Sequence, residues 1–294
     1  MPQRTVEIIK KDFADIIKNL SYSKNKGTIF SDWLETAAIA VRQMPFNAGE
    51  LPKDESYQEY EEKYLEVAGR YSREELNQFA SLTALTVEGI SVYKGDFLGE
   101  IYGSLELTNE DAGQFFTPFT VSTAMAKMMI GDVKQQVKEK GIITISDPAS
   151  GAGGTLIAAA HEVAHQGIDP RNHVQFHATD ISRNCFNMTY LQLSLMDLQA
   201  VVEHGNTISM EIWETRKTPQ MMFFEDWLEN NKTLKMVQHM HNFLTQLEKP
   251  PQQTQEKEAA IEEEDQATKP DISFAKKDDI IEQLSLFDSQ EYES

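Results

Sequence analysis

The chain has 294 residues, 40% of them hydrophobic, and a formal charge of −20. That length buries one good core and part of a second, and no apolar run reaches the roughly 20 residues of a membrane helix. The charge is carried by body and tail alike, 14 acids against 5 bases from Glu248 onward and 33 against 22 before it, which argues against a stand-alone DNA binder.

The N-terminal "MPQRTVEIIKKDFADIIKNL" is amphipathic and lacks a signal-peptide core, so the expected location is cytoplasmic, with no membrane partner. Cys185 is the one cysteine, which leaves neither an intramolecular disulfide nor a Cys/His zinc spacing. The first hundred residues read as helices. Ile9, Phe13, Ile16 and Leu20 keep helical spacing, as do Phe30, Trp33, Leu34, Ala37, Val41 and Met44. A breaker-rich loop runs from Asn47 to Ser56. "SYQE" at Ser56 and "SREE" at Ser72 have the form of capping boxes. Tyr57, Tyr60, Tyr64 and Val67 make an aromatic stripe at helical spacing, better read as packing between helices than as a base-stacking platform.

From Gly141 the period changes. "IITISD" is a β-branched run, and a glycine-rich turn and a helix from Thr155 to about Gln166 follow it. "HVQFHATD" is a second strand, "SRNCFNMTYLQLSLM" a second helix and "QAVVEHGN" a third strand. Strand and helix alternating through short connections predict a parallel α/β sheet. "QMMFFEDWL" fits a fourth strand or a helix start, and "NKTLKMVQHMHNFLTQL" fits a helix. From Lys249 to about Asp279 the sequence turns to Pro, Gln, Glu and Lys, a composition that predicts disorder.

The glycine turn is "DPASGAGG", Asp147 to Gly154. Gly151, Gly153 and Gly154 permit close backbone approach and leave helix-start amides facing a bound group. No Gly-Lys-Ser/Thr follows, so this is not a Walker loop, and Leu156 stands where the dinucleotide fingerprint has its third glycine. Asp180 closes the second strand, where a carboxylate accepts hydrogen bonds from ribose hydroxyls. Upstream, Thr117 has the form of a helix cap with Pro118 at the first helical position. Phe115 and Phe116 lie just before it, an aromatic pair suited to a zwitterionic ligand with an apolar body.

Four ordered motifs, "GDFLGEIYGSLELTNEDAGQFFTP", "DPASGAGG", "TDIS" and "EHGNTI", resemble those of the adenine-specific DNA methyltransferases, in particular the M subunits of type I restriction–modification systems. The resemblance runs from about Gly95 to Ile208. It implies a class I, Rossmann-like fold that binds S-adenosylmethionine (SAM). It would put Phe115, Phe116, Thr117 and Pro118 near the methionine end. Asp147, Pro148, Ala149, Ser150, Gly151, Gly153 and Gly154 would form the floor. Asp180 and Ile181 would lie at the ribose, and Asn206, where the family usually has Asp, near the adenine.

Those enzymes grip a flipped adenine with an Asn/Asp-Pro-Pro-Tyr/Phe motif. Here the sole Pro-Pro is Pro250-Pro251, in "EKPPQQ". The adopted expectation is therefore a SAM-binding protein of this family in which methyl transfer is doubtful and no catalytic residue or metal ligand is identified. Two alternatives stand beside it. One is an active methyltransferase whose fourth motif is degenerate or supplied by a partner subunit, which would also bring DNA. The other is a phage or plasmid interaction protein that blocks a host restriction system or mimics DNA.

Near the end, five apolar residues fall between Ile280 and Phe287. "QLSLF" (Gln283, Leu284, Ser285, Leu286 and Phe287) resembles the short peptide by which bacterial polymerases and repair proteins hold the β sliding clamp, an expected partner. The alternative is a terminal turn docked on the protein itself. The expected organisation is a helical domain over 1–109, an incomplete α/β SAM-binding domain over 110–247 and an acidic tail over 248–294. A homodimer would place two tails on one clamp ring.

Overall fold

A computed structural model of the chain describes residues 4–22, 24–108 and 116–232. Phe115, the helix expected after residue 232, the acidic tail and the 283–287 peptide lie outside them. The described residues up to Met222 form one compact unit, and those from Phe223 belong to a second.

Five helices come first: α1 (Val6–Leu20), α2 (Lys26–Asn47), α3 (Glu55–Ala68), α4 (Arg73–Val92) and α5 (Phe97–Ser104). The apolar stripes read from the sequence face one another. Ile9 and Phe13 of α1 are fully buried with Phe30, Trp33 and Leu34 of α2, joined by Ile17 where the sequence spacing had Ile16, which is only partly buried. Phe13 meets Trp33 edge-on at 4.9 Å between ring centroids, an arrangement worth about 0.5–1.5 kcal/mol beyond the area it buries. Two further details differ from the sequence reading. Met44 is exposed, because Pro45 and Phe46 take the inward positions at the end of α2. Ser56 is not a cap either. Asp54 accepts from the Tyr57 amide, and Ser56 donates its hydroxyl to that same carboxylate. A carboxylate at a helix start gains from the macrodipole as well as the hydrogen bond. At Ser72 the capping box with Glu75 forms as expected.

α6 (Phe119–Met129) and α7 (Val133–Lys140) lead into the α/β part: β1 (Ile143–Asp147), α8 (Gly154–His165), the short α9 (Pro170–His173), β2 (Val174–Asp180), α10 (Arg183–Leu195) and β3 (Gln199–Asn206). β1, β2 and β3 are parallel, with Ile145 opposite Phe176 and Phe176 opposite Ala200. β4 (Glu211–Lys217) then returns antiparallel to β3, closing the order β1-β2-β3-β4. "QMMFFEDWL" is helical, part of a helix over 219–232. Pro219 at its start lacks the amide a central strand needs and suits a first helical turn.

One face of the sheet is dry. Ile143, Val174, Phe176, Ala178, Ala200 and Val202 pack there against Leu156, Ile157 and Val163 of α8 and Phe186, Tyr190 and Leu193 of α10. On the opposite face Thr144, Ser146 and His177 are exposed. A doubly wound sheet is covered on both faces. Among the described residues the second face is covered only in part, where Gln199 and Val201 of β3 are buried, and the α/β fold is a partial one.

The helical layer and the sheet are joined through α10. Its Cys185, Met188 and Leu191 share a core with α1, α2, α4 and α5. Where β4 meets α2 and α3, Arg216 is buried and donates to Glu35, Glu214 and Asn187. Arg183 bridges the same two carboxylates. Tyr60, from the aromatic stripe, donates its hydroxyl to Glu214 at 2.9 Å. Burial pushes both carboxyls up. Arg216 and Arg183 outweigh it, lowering Glu35 and holding Glu214 at about 2.

Glu35→Ala leaves the fully buried Arg216 short of a partner. The expected loss is about 3 kcal/mol, or a melting temperature lower by about 6–12 °C for a unit of this size, read by thermal denaturation. Both carboxyls are depressed, so their stabilisation is complete above the unfolded carboxylate range of about pH 4.3 and is lost as pH falls towards 2. A melting temperature that does not fall over that window would remove the network from the account of stability.

Candidate functional site

The carboxyl ends of β1, β2 and β3 lie side by side and carry Asp147, Asp180 and Asn206. In open α/β sheets this edge is where ligands bind. The turn after β1 is shaped by its glycines, with φ of +56° at Gly151 and +91° at Gly153, values that cost an L-residue roughly 1–2 kcal/mol. A Cβ on Gly151 would stand 3.2 Å from the Phe116 ring, and one on Gly154 3.2 Å from Asp96 Oδ2. The backbone therefore comes as close to its neighbours as it can.

The turn is held from both sides. Asp147 accepts from the Ala149 amide and, through its other oxygen, from the Thr155 hydroxyl. Asp180 accepts from the Gly151 amide at 2.8 Å and the Ser182 amide at 2.8 Å. The Cys185 side chain also bonds to this carboxylate. Burial raises the Asp180 carboxyl above its ordinary range, against the pull of the two amides and the Cys185 side chain. From α10, Thr189 donates to the Gly151 carbonyl, and Gln192 donates to the Ala152 carbonyl and to Asp96 Oδ1. α8 begins at Gly154 with no side-chain cap, so its first amides face the cleft as an anion-binding end.

The cleft is lined by Asp96, Phe116, Thr117, Ser122, Asp147, Ser150 and Gly151, among others. Phe116 is half-buried against Tyr102, with ring centroids 5.7 Å apart. Thr117 and Pro118 are exposed beside it. Thr117 does not cap α6. Pro118 occupies the cap position and makes no side-chain bond there. Ile181 is largely exposed next to Asp180, and Pro148 accepts from the Thr207 hydroxyl at 2.6 Å. Asn206 uses its side-chain oxygen on the Ile208 and Ser209 amides, turning the chain into β4. Its NH2 group remains the part that can donate to an adenine ring nitrogen.

Sequence reading missed Asp96, Ser122, Thr189 and Gln192. The Asp96-to-Gly99 spacing was a visible helix-start signal, since Asp96 caps α5 through the Gly99 amide. The other three sit on helix faces that look apolar or neutral in sequence and become site residues by packing.

Fold and site together define an open α/β domain with a glycine turn after its first strand. The N-6 DNA methylase family model matches residues 94–258, and the chain belongs to that family. Among solved structures it is similar to a type I restriction–modification system methyltransferase subunit from Streptococcus thermophilus, at 13% identity and a TM-score of 0.31. That match covers 66% of this chain, which spans 57% of the subunit's length. Comparison with curated proteins gives no match.

The family implies SAM, and the residues present fit it. Asp147 and Asp180 offer acceptors, the glycines offer bare backbone, and Ser122 Oγ is buried beside the cleft without a partner among the described residues. Gly151→Val forces a side chain onto a left-handed residue against Phe116. It should cost about 1–2 kcal/mol, whereas Gly103→Ala, open on all sides within 4 Å in α5, should gain up to about 1 kcal/mol. Paired thermal melts check the opposite signs.

Proposed function

We propose that the chain binds S-adenosylmethionine across the ends of β1–β3 and carries it within a DNA-methyltransferase framework. The observation that supports this best is one cleft combining left-handed Gly151, the uncapped start of α8 and the carboxylates of Asp96 and Asp147, with Asp180 bonded to the Gly151 amide behind it. A pyrophosphate would meet the carboxylates as like charges, whereas a sulfonium compound brings the opposite sign. SAM, when bound, supplies a methyl group activated by that sulfonium. The chain's own residues hold and orient it. Asp180 takes the ribose hydroxyls, Ile181 and the Asn206 amide meet the base, Pro148 to Gly154 form the floor, and Phe116 to Pro118 flank the methionine end.

Transfer to adenine needs a group that grips the flipped base. Pro250-Pro251 is followed by Gln252, so no acceptor-Pro-Pro-aromatic order occurs in residues 1–294. In this reading the acceptor side comes from another polypeptide segment. Calorimetry with SAM or S-adenosylhomocysteine should give micromolar Kd, about −8 kcal/mol. Labelled SAM and adenine-containing duplex should leave the DNA unlabelled. No heat with either ligand would defeat the reading. DNA label that disappears in Asp147→Ala would promote the active-enzyme alternative.

The sequence "QLSLF", residues 283–287, supports a second element of the reading, attachment to a β sliding clamp. In an extended peptide, Leu284, Leu286 and Phe287 bury apolar area worth about 1.5–3 kcal/mol each, offset by ordering and lost translation. Micromolar binding follows. Leu286→Ala with Phe287→Ala should abolish displacement of a fluorescent clamp ligand, and Ser285→Ala should not.

A further inference from the structure

In the helical layer α1 packs beside α4, and a groove of about 500 Å³ runs between them. Its apolar part is Ile16 of α1 with Ala84 and Leu85 of α4. Its rim carries Asp12, Asp15 and Glu88, and Asn19 and Ser81 complete the lining. Two more apolar side chains are exposed on the same helix faces. Ile8 stands one turn before Asp12, and Val87 stands three positions after Ala84. Apolar surface left in water beside a concave, charged rim marks an interaction site.

The charge of the groove selects what fits it. Its acids outnumber its bases three to one, the base being Arg4. Arg4 stands just before α1 and bridges the two helices, donating to Asp12 and, at 2.9 Å, to Glu88. Carboxylates on facing helices are thus already set for one planar cation. Arg4 meets Asp12 Oδ2 and Glu88 Oε2, so the other oxygen of each still accepts. Asp15 is exposed and has no partner among the described residues. Duplex DNA and a second copy of this same groove bring like charge. A third helix fills a groove between two packed helices, and here its apolar stripe must be flanked by cations.

We propose that the α1–α4 groove docks a basic amphipathic helix of a partner protein, its apolar stripe on Ile16, Ala84 and Leu85 and its arginines on Asp12, Asp15 and Glu88. The groove shares no lining residue with the cleft at the strand ends. The partner therefore holds the chain by its helical layer and leaves the cleft open. This surface stands independently of the cofactor reading.

The test is fluorescence anisotropy on the full chain with a labelled peptide of about 15 residues, the length of α1. Leucines at helical spacing form one face of the peptide and arginines the other. A second peptide carries glutamate for every arginine. The arginine peptide should bind with micromolar Kd, and the glutamate peptide should not bind. Because the chain carries a charge of −20, general attraction must be told apart from docking. Ala84 is exposed and lines the groove, so Ala84→Glu fills it while adding a negative charge. Docking predicts binding at least about tenfold weaker, whereas attraction to net charge alone predicts tighter binding. Ala84→Gln, bulky and neutral, should weaken binding alike. Both variants should melt as the unmodified chain does, since Glu and Gln are good helix formers. Asp15→Asn with Glu88→Gln should weaken binding about fivefold. Undiminished binding to the two Ala84 variants, equal binding of the glutamate peptide, or no binding of the arginine peptide overturns the proposal.

Discussion

Gln192 has no exposed surface, and its side-chain amide must find its partners inside the protein. It does so by reaching in two directions at once. The oxygen accepts from the Leu98 amide, and the nitrogen donates to Asp96 and to the Ala152 carbonyl. An unmade bond at such depth costs about 1–3 kcal/mol, so α5, α10 and the glycine turn are fixed to one another as a set. Thr189, one turn earlier on α10, adds its bond to the Gly151 carbonyl. Asn187, on another side of the same helix, donates to Glu35 and accepts from Arg216. α10 is thus the joint through which helical layer, turn and sheet edge become one body.

The electrostatics of the cleft follow from that joint. Three carboxylates, Asp96, Asp147 and Asp180, stand around a turn whose free helix amides favour an anion. Asp147 and Asp180 spend part of their capacity on the turn's own backbone and hydroxyl groups. Asp96 is buried with one oxygen turned to Gly154. Carboxylates and free helix amides thus stand together at the start of α8, with Asp96 against Gly154 and Asp147 bonded to Thr155.

The sheet leaves the glycine turn at one edge. The described strands run in one direction from β1 to β3, and β4 closes the far side as an antiparallel hairpin partner. β1, which carries the glycine turn, is the edge strand of the described sheet. In doubly wound folds the ligand crevice opens where the strand order reverses, beside the first strand. Among the described residues the cleft is therefore built from one flank, the flank that bears the cofactor-side motifs.

Sequence alone determined the elements that depend on local signals. The parallel strands at 143–147, 174–180 and 199–206 follow from β-branched runs between turns. The turn follows from glycines that alone tolerate its φ values, and the helical first hundred residues follow from apolar spacing. The ordered motifs were enough for the family. What the sequence did not contain was the role of residues whose partners lie far along the chain. Asp96 meets Gln192 across 96 positions, and Arg216 meets Glu35 across 181. Tyr60, in sequence one more member of an aromatic stripe, becomes a partner of Glu214 on β4. Thr117 looked like a cap, but the chain enters α6 one residue later, through Pro118. Periodicity reports which side of a helix is apolar; it carries no information about which buried polar atoms will face each other. That pairing is decided by packing, because a hydrogen bond inside the protein exists only once both partners have been brought out of water together.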